Sequence, residues 1–390
     1  MVVSRNLKTN KRRVGHFIDD LLAPRRSKQF SNELDPTVVG LFGAASGIGE
    51  SARLCFDALQ LLGCDPDAID LSDAFNQREL DTSRFQNRLE KNTGPLIIHL
   101  NPPELPRALR TLGRKCLAHR RLIGYWAWEL CDVPASWVRA MRLVHEVWTP
   151  SDFCTAALSK CAPVPIKTVP HILPEQGSFP HNAPAPDVDF HVITSGDTRS
   201  SLARKNLDGA FRAFHDAFAD DPTVRLSVRL GHCTGKDLTA KRFAQQCTGP
   251  PNVQLVTNVT DDAAENRFLA SADAILSLHR SEGFGLVLAK AMRLGRPVIA
   301  TGWSGNMEFM TPDNACIVGF ERIAVHDPQD IYPETGQFWA EPDHDEAVSW
   351  LRRLRSEPEL RRSIGEAAAR LYPAEKFESM LRDALAQQMP

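Results

Sequence analysis

Residues 278–310, LHRSEGFGLVLAKAMRLGRPVIATGWSGNMEFM, gather the residue types that can hold an anion and a sugar side by side. An apolar run ends at His279, and the turn Arg280-Ser281-Glu282-Gly283 follows. The pattern predicts a helix opening near Phe284-Gly285-Leu286 and running to Leu294-Gly295, with Gly295 as its stop. The first amides of a helix have no intrahelical acceptor, so this turn would offer N–H groups to an anion, and its glycines let a ligand approach the main chain. A Glu282 carboxylate at the mouth of the turn would accept hydrogen bonds from sugar hydroxyls. The next apolar run ends in a second loop, Trp303-Ser304-Gly305-Asn306, which points the same way. Arg204 and Lys205 fall where the helix predicted within 199–218 begins. Cations there oppose the helix dipole and call for an anionic partner such as a phosphate. A further glycine-rich turn, GAASGIGE (43–50), follows the apolar run 38–42.

These groups need elements to position them. Short apolar runs recur between helical stretches: VVGLF (38–42), PLIIHL (95–100), RLIGYWAW (121–128), HEVWTP (145–150), FHVITS (190–195), VRLSVRL (224–230), DAILSLH (273–279) and RPVIATG (296–302). Strands alternating with helices predict an α/β protein with parallel sheets, and several runs are apolar without alternation, as strands buried on both faces are. The proline-rich stretch 173–189 breaks the rhythm and reads as an interdomain linker. The expected division is a basic extension over 1–35, an N-terminal domain over 36–175 and a C-terminal domain over 190–372. Ligands are expected at the carboxyl ends of the strands, and in the cleft between the domains if they face each other.

Composition fits a soluble globular chain of two domains: 390 residues, 43% hydrophobic and 24% charged. No apolar run approaches the ~20 residues of a membrane span, and the N-terminus lacks the apolar core of a secretory signal. The nine cysteines contain no Cys-x-x-Cys pair, which suits reduced thiols in the cytoplasm. Residues 1–30 hold eight Lys or Arg against two Asp, a local charge of +6 in a chain of net −2. That run reads as a solvated tail or as a contact to an anionic membrane surface at the inner face. Aromatic residues do not interleave its charges beyond Phe17 and Phe30, so nucleic acid is not expected as a partner.

The segment from Glu282 to Leu286 resembles family 4 of the retaining glycosyltransferases, which share the two-domain GT-B fold of Rossmann-like halves facing a central cleft. The family pattern is Glu-Gly-Phe-Gly-Leu with a second Glu eight positions after the first; Glu282, Gly283, Phe284, Gly285 and Leu286 match it, and Lys290 stands in the second acidic position. The resemblance implies that Glu282 contacts the donor sugar and that the following amides hold sugar and phosphate. It also implies that Ser304, Gly305 and Asn306 belong to the donor site and that Arg204 and Lys205 neutralise the donor diphosphate. The second Glu of the pattern holds the ribose, and Lys290 cannot accept hydrogen bonds from ribose hydroxyls. The ribose is then held otherwise, the donor is unusual, or the protein is a catalytically degenerate GT-B-like binding protein. A Lys290→Glu change is expected to strengthen nucleotide binding if a ribose contact is missing.

Segments 122–137 and 145–153 are similar to a subgroup that assembles bacterial surface polysaccharides, for which GDP-mannose is the leading donor and UDP-sugars follow. That subgroup's first strand ends in a Gly-Ile-Gly-Glu turn followed by Arg, here Gly47 to Glu50 and Arg53. Its expected role is to bring amides of Gly47 and Gly49 towards the donor phosphates or to shape the acceptor pocket. The same turn resembles the nucleotide loop of short-chain dehydrogenases, and Tyr372 and Lys376 have their Tyr-x-x-x-Lys spacing. That pair lies at the far end of the chain, however, and is interrupted by Pro373.

The implied reaction moves a hexose from a nucleotide diphosphate sugar to a hydroxyl of a glycan or lipid-linked acceptor, with retained configuration. Glu282, Arg204 and Lys205 would carry it. No cofactor or metal is expected: the Asp-x-Asp triplets at Asp65, Asp187 and Asp343 end no predicted strand. On the acceptor side the candidates are His99, Asn101, Tyr125, Trp126 and Glu129. If 121–128 is one strand, Trp126 and Trp128 share a face and Tyr125 and Glu129 share the other. In the GT-B fold the last helix, within 374–390, crosses back to the N-terminal domain.

Overall fold

The computed structural model describes residues 22–27, 29–30, 35–85, 93–174, 187–232, 238–257, 261–332 and 336–386. Most of the basic N-terminal run and of the proline-rich linker thus lies outside the described residues. Two units emerge: one holds residues 1–128, 132–174 and 374–390, the other holds Glu129–Cys131 and Glu175–Pro373. No described helix is long and apolar enough to cross a membrane.

The first unit is built on six parallel strands: β1 (Thr37–Gly40), β2 (Asp67–Asp70), β3 (Leu96–Ile98), β4 (Leu122–Tyr125), β5 (Glu146–Thr149) and β6 (Ile166–Thr168). Their order is β2-β1-β3-β4-β5-β6. The unalternating apolar runs have the expected cause, since β1, β3, β4 and β5 are buried along their whole lengths. The turn 43–50 leads from β1 into helix Gly47–Leu61, which Ser46 caps by accepting from the Gly49 amide at 3.3 Å. The final helix, Ala374–Ala386, belongs to this unit, and Arg121 donates to the Ala384 carbonyl.

The second unit has another six-stranded parallel sheet: β7 (Phe190–Asp197), β8 (Val224–Gly231), β9 (Val253–Val256), β10 (Ala274–Ser277), β11 (Val298–Thr301) and β12 (Cys316–Val318). The order β12-β11-β10-β7-β8-β9 means that the chain builds outward from β7, then returns to lay β10 on its other side. The loops after β7 and β10 therefore leave adjacent strand ends in opposite directions, and such a switch point is where open α/β sheets bind ligands. An antiparallel hairpin, β13 (Phe320–Ala324) with β14 (Phe338–Pro342), follows. Phe320 and Phe338 both pack on Trp303 of the loop after β11, at 5.2 and 5.4 Å between ring centroids.

Two local expectations are corrected. The run 121–128 is a strand only to Tyr125; Trp126 and Trp128 lie beyond it and both pack on Trp137, at 6.1 and 4.7 Å. Their apolar pattern continues past the strand because a buried loop, not a sheet face, covers them. The segment 199–218 is not one helix. A single turn, Leu202–Lys205, ends at Asn206, whose left-handed backbone (φ 50°) starts helix Leu207–Phe218. Arg204 and Lys205 thus close a short turn and do not open the long helix. The conflict with the long helix's dipole that motivated their reading is absent.

Candidate functional site

The two loops at the β7/β10 switch point are joined directly. The Arg280 amide donates to the Arg204 carbonyl at 2.7 Å, and the Arg280 guanidinium donates to the Ala203 carbonyl at 2.6 Å and to Glu341 of β14 at 2.5 Å. Ser201 caps the basic turn by accepting from the Arg204 amide at 3.0 Å. Lys205 Nζ reaches Glu282 Oε1 at 2.5 Å, and Arg204 Nη1 lies 3.3 Å from Glu282 Oε2. The structure therefore brings buried Arg204 and Glu282 and half-buried Lys205 into one cluster. Arg204 also donates to the Ser281 carbonyl at 2.5 Å and to Ser200 Oγ at 2.8 Å.

Burial pushes the Glu282 carboxyl up, but Lys205 and Arg204 outweigh it and bring its pKa down to about 2. Glu282 is thus an anion at neutral pH. Burial would likewise lower the Arg204 pKa, yet Tyr332, Glu282 and Glu129 raise it above its ordinary value. His279, behind the turn, is held below its usual value chiefly by burial and hydrogen bonds Asn306 Oδ1 at 3.0 Å.

The second loop shapes the turn. Ser304 Oγ accepts from the Glu282 amide at 2.7 Å, and the Gly305 amide donates to the Glu282 carbonyl at 2.9 Å. Gly305 has no alternative residue, because a Cβ there would lie 2.1 Å from the Gly283 carbonyl oxygen. Asn306 is fully buried and donates to the Thr301 carbonyl at 3.0 Å. Gly285 adopts φ 92° just before helix Leu286–Arg293, and Phe284 packs on Phe309 at 4.9 Å.

Lys290, on that helix, is buried and pairs with Glu265 Oε2 at 2.5 Å; Arg229 of β8 holds Glu265 Oε1 at 2.7 Å. Glu265 belongs to helix Asp262–Ala270. Burial alone would raise its carboxyl, but Lys290 and Arg229 lower it below the ordinary range. A Lys290→Glu change would therefore not simply restore an acid, since the new carboxylate would face Glu265.

The segment before β14 supplies residues that the sequence reading missed. Asp327 accepts from Ser201 Oγ at 2.9 Å, and Gln329 accepts from the Leu202 amide at 2.5 Å and donates to the Thr198 carbonyl at 3.2 Å. Tyr332 donates to Glu129 at 2.7 Å, and Glu129 lies 4.0 Å from Arg204 Nη2. Segment 325–332 has no periodic pattern to flag it; the one available signal was that Tyr332 is among only three tyrosines.

In the first unit, His99 and Tyr125 stack at 4.4 Å, and His99 Nδ1 meets Ser51 Oγ at 2.7 Å. Tyr125 donates to the Val169 carbonyl at 2.6 Å. Asn101 Oδ1 accepts from the Ala127 amide at 3.2 Å, and Trp126 is fully buried. Arg53 ties the glycine-rich turn by donating to the carbonyls of Phe42 and Ala44 at 2.9 and 3.0 Å. A Cβ on Gly49 would lie 2.4 Å from the Ala44 carbonyl oxygen, whereas Gly47 faces open space. Gly49 is thus required by packing. Glu129, expected beside Tyr125 and the others, clusters instead with the second unit. Among the described residues no group of three or more His, Cys, Asp or Glu is placed to hold a metal ion.

A protein-family model described as family 4 glycosyltransferase in conflict systems matches residues 152–372, more than half of the chain. The chain belongs to this family. No curated protein matches the sequence of this family 4 glycosyltransferase. Among solved structures, it is similar to the sucrose-phosphate synthase of Thermosynechococcus elongatus, with a TM-score of 0.62 at 13% identity over 90% of this chain and 98% of that one. Anabaena HepE, in complex with UDP and glucose, gives 0.58 at 13% over 91% and 100%. A Staphylococcus aureus TarM variant, in complex with Fondaparinux, α-GlcNAc-glycerol and UDP, gives 0.52 at 13% over 75% of this chain. The glycosyltransferase spans only 55% of that TarM chain. These likenesses show the fold: two parallel-sheet α/β units of the GT-B type.

Proposed function

We propose that the protein transfers a hexose from a nucleotide diphosphate sugar to a hydroxyl of a glycan or lipid-linked acceptor, with retention at the anomeric carbon. The bond from that carbon to the diphosphate oxygen breaks and a bond to the acceptor oxygen forms. The acceptor proton leaves with the diphosphate. Positive charge builds on the sugar ring and negative charge on the leaving group, so fixed cations and amides beside the diphosphate do most of the work.

The contact of Lys205 with Glu282 at the switch point carries this reading. It puts a carboxylate suited to sugar hydroxyls beside a cation suited to phosphate. The two basic residues divide the task. Arg204, with a side chain only 4% exposed and anchored on Ser281 and Ser200, positions the Glu282 turn. Lys205, 22% exposed, has the freedom to leave Glu282 for the diphosphate. The amides of Gly285 and Leu286, at the start of helix Leu286–Arg293, complete the anion site.

Lys290 alone would favour a silent binding protein, but its buried pairing with Glu265, which Arg229 also holds, supports a rebuilt corner of a working site. GDP-mannose is the donor proposed, from the resemblance of segments 122–153 and 278–310 to surface-polysaccharide enzymes; UDP-sugars are second, favoured by the UDP held in HepE and TarM. The charge of residues 1–30 supports a cytoplasmic protein resting on the inner membrane face. A thermal-shift panel of nucleotide sugars tests the reading: GDP-mannose should raise the melting temperature most, and a panel without any stabilising nucleotide contradicts it.

A further inference from the structure

In a parallel α/β unit each crossover helix ends at the amino edge of the sheet, beside the start of the next strand. Helix Leu105–Leu117 ends so before β4, and helix Ala135–Met141 ends so before β5, its neighbour in the sheet. The last turns of the two helices and the residue that follows carry Arg114, Lys115, Arg139 and Arg142, all exposed. Arg25 is exposed on the same edge: its neighbour Arg26 donates to the Val144 carbonyl, the Ser27 carbonyl meets His145 Nε2 at 2.8 Å, and Phe30 packs on the His145 ring at 4.8 Å.

Among the described residues none of these five side chains has an ion-pair partner. Some exposed cations elsewhere do, such as Arg78 with Asp73, Arg84 with Asp57 and Arg199 with Asp197, while Arg212, Lys241 and Arg242 of the second unit have none among the described residues; what sets this edge apart is that its cations come together at adjoining helix ends. The acids of this edge do not offset the cluster. Glu146 is buried between Arg121 and Lys167, and Asp35 and Asp65 precede β1 and β2 at the far side of the sheet. Asp383 is adjacent in sequence to Arg382.

We propose that this amino-edge cluster of the first unit is a docking surface for anionic lipid headgroups. The basic run 1–21, with Val14, Phe17, Ile18 and Leu21 among its residues, precedes Leu22, which is three residues before Arg25 in sequence and is 58% exposed. A cationic edge preceded in sequence by a basic stretch (Arg5 to Arg13) and then an apolar one (Val14 to Leu21, with Asp19 and Asp20) fits a charged interface with an apolar interior, whereas nucleic acid would want stacking aromatics. The edge thus extends the membrane reading of residues 1–30 to a folded surface, and it does not depend on the transfer reaction.

The test is co-sedimentation of the full chain with phosphatidylcholine vesicles, with and without phosphatidylglycerol. The expected result is binding only to the anionic vesicles, weakened by salt. Reversing Arg114, Lys115, Arg139 and Arg142 to Glu, with residues 1–30 intact, should weaken binding at least about tenfold. The same four changed to Gln should give a smaller loss with an unchanged melting curve, which separates docking from misfolding. Reversing Arg353 and Arg362 of the second unit should change nothing. Equal binding to neutral vesicles, undiminished binding by both four-site variants, or preference for an oligonucleotide over anionic vesicles would overturn the proposal.

Discussion

Lys205 Nζ sits 2.5 Å from Glu282 Oε1, although 77 residues of chain separate them. The pair exists because β10 returns beside β7, so that the loops after these strands meet. On the proposed function, Glu282 here occupies the cation that a donor diphosphate would need. The carboxylate would then compete with phosphate as well as bind sugar.

Replacing Glu282 by Gln therefore has two opposite effects. Sugar transfer should fall by at least about a hundredfold, because a preorganised charged group at the reacting sugar is lost. Affinity for the bare nucleoside diphosphate should rise by up to about tenfold, because Lys205 no longer has an internal anion to leave. Steady-state rates and equilibrium titration separate the two.

Lys290→Glu should destabilise the second unit by about 3 kcal/mol, since it places two carboxylates together in a buried site with Arg229 as their one nearby cation among the described ion pairs. The exchange variant Lys290→Glu with Glu265→Lys should recover most of that loss. Denaturant midpoints of the single and double variants check both statements.

How much of this was legible in the sequence follows from which contacts are local. Eight of the twelve parallel strands showed as apolar runs, and the glycine turn after β10 announced its own shape; β2, β6, β9 and β12, only three or four residues each, showed in none of the runs. The meeting of Arg204 and Lys205 with Glu282 could be expected because strand-end loops share one edge. The partner of Lys290 could not: Glu265 sits on another helix, and nothing in its own surroundings in sequence marks it as an ion-pair residue. Tyr332, Asp327 and Gln329 lie in a loop with neither helical nor strand periodicity, so only the fold shows that they hold the basic turn. Trp126 and Trp128 misled, because burial in a loop leaves the same apolar signature as a strand.

Gly305→Ala should abolish transfer while leaving the parallel sheet intact. Its Cβ would need the space 2.1 Å from the Gly283 carbonyl oxygen, so the Glu282 turn must move. A stability loss of about 2 kcal/mol, typical of overpacking, should accompany it. Urea melts and a donor-hydrolysis assay measure the two effects.

Acid should unfold the first unit through its buried histidines. Burial lowers the His171 pKa from 6.5 to about 3, and burial with the neighbouring His171 lowers His99 well below 6.5. Below pH 6.5 the unfolded chain binds protons that the folded one refuses. For His171 the stability present above pH 6.5 is then lost as pH falls towards about 3, at up to about 1.4 kcal/mol per pH unit, and His99 adds a loss in the same direction below pH 6.5. Glu282, lowered to about 2, adds a loss in the second unit between pH 4.5 and 2. Urea midpoints from pH 7.5 to 4 should fall steadily in the wild type and less steeply in His171→Asn.

The most direct test of the account is calorimetric titration of GDP and UDP into the wild type and Lys205→Ala. Loss of at least about tenfold in affinity for the better nucleotide, together with a shallower salt dependence, is the predicted result. Unchanged affinity and an unchanged salt dependence in Lys205→Ala would contradict it.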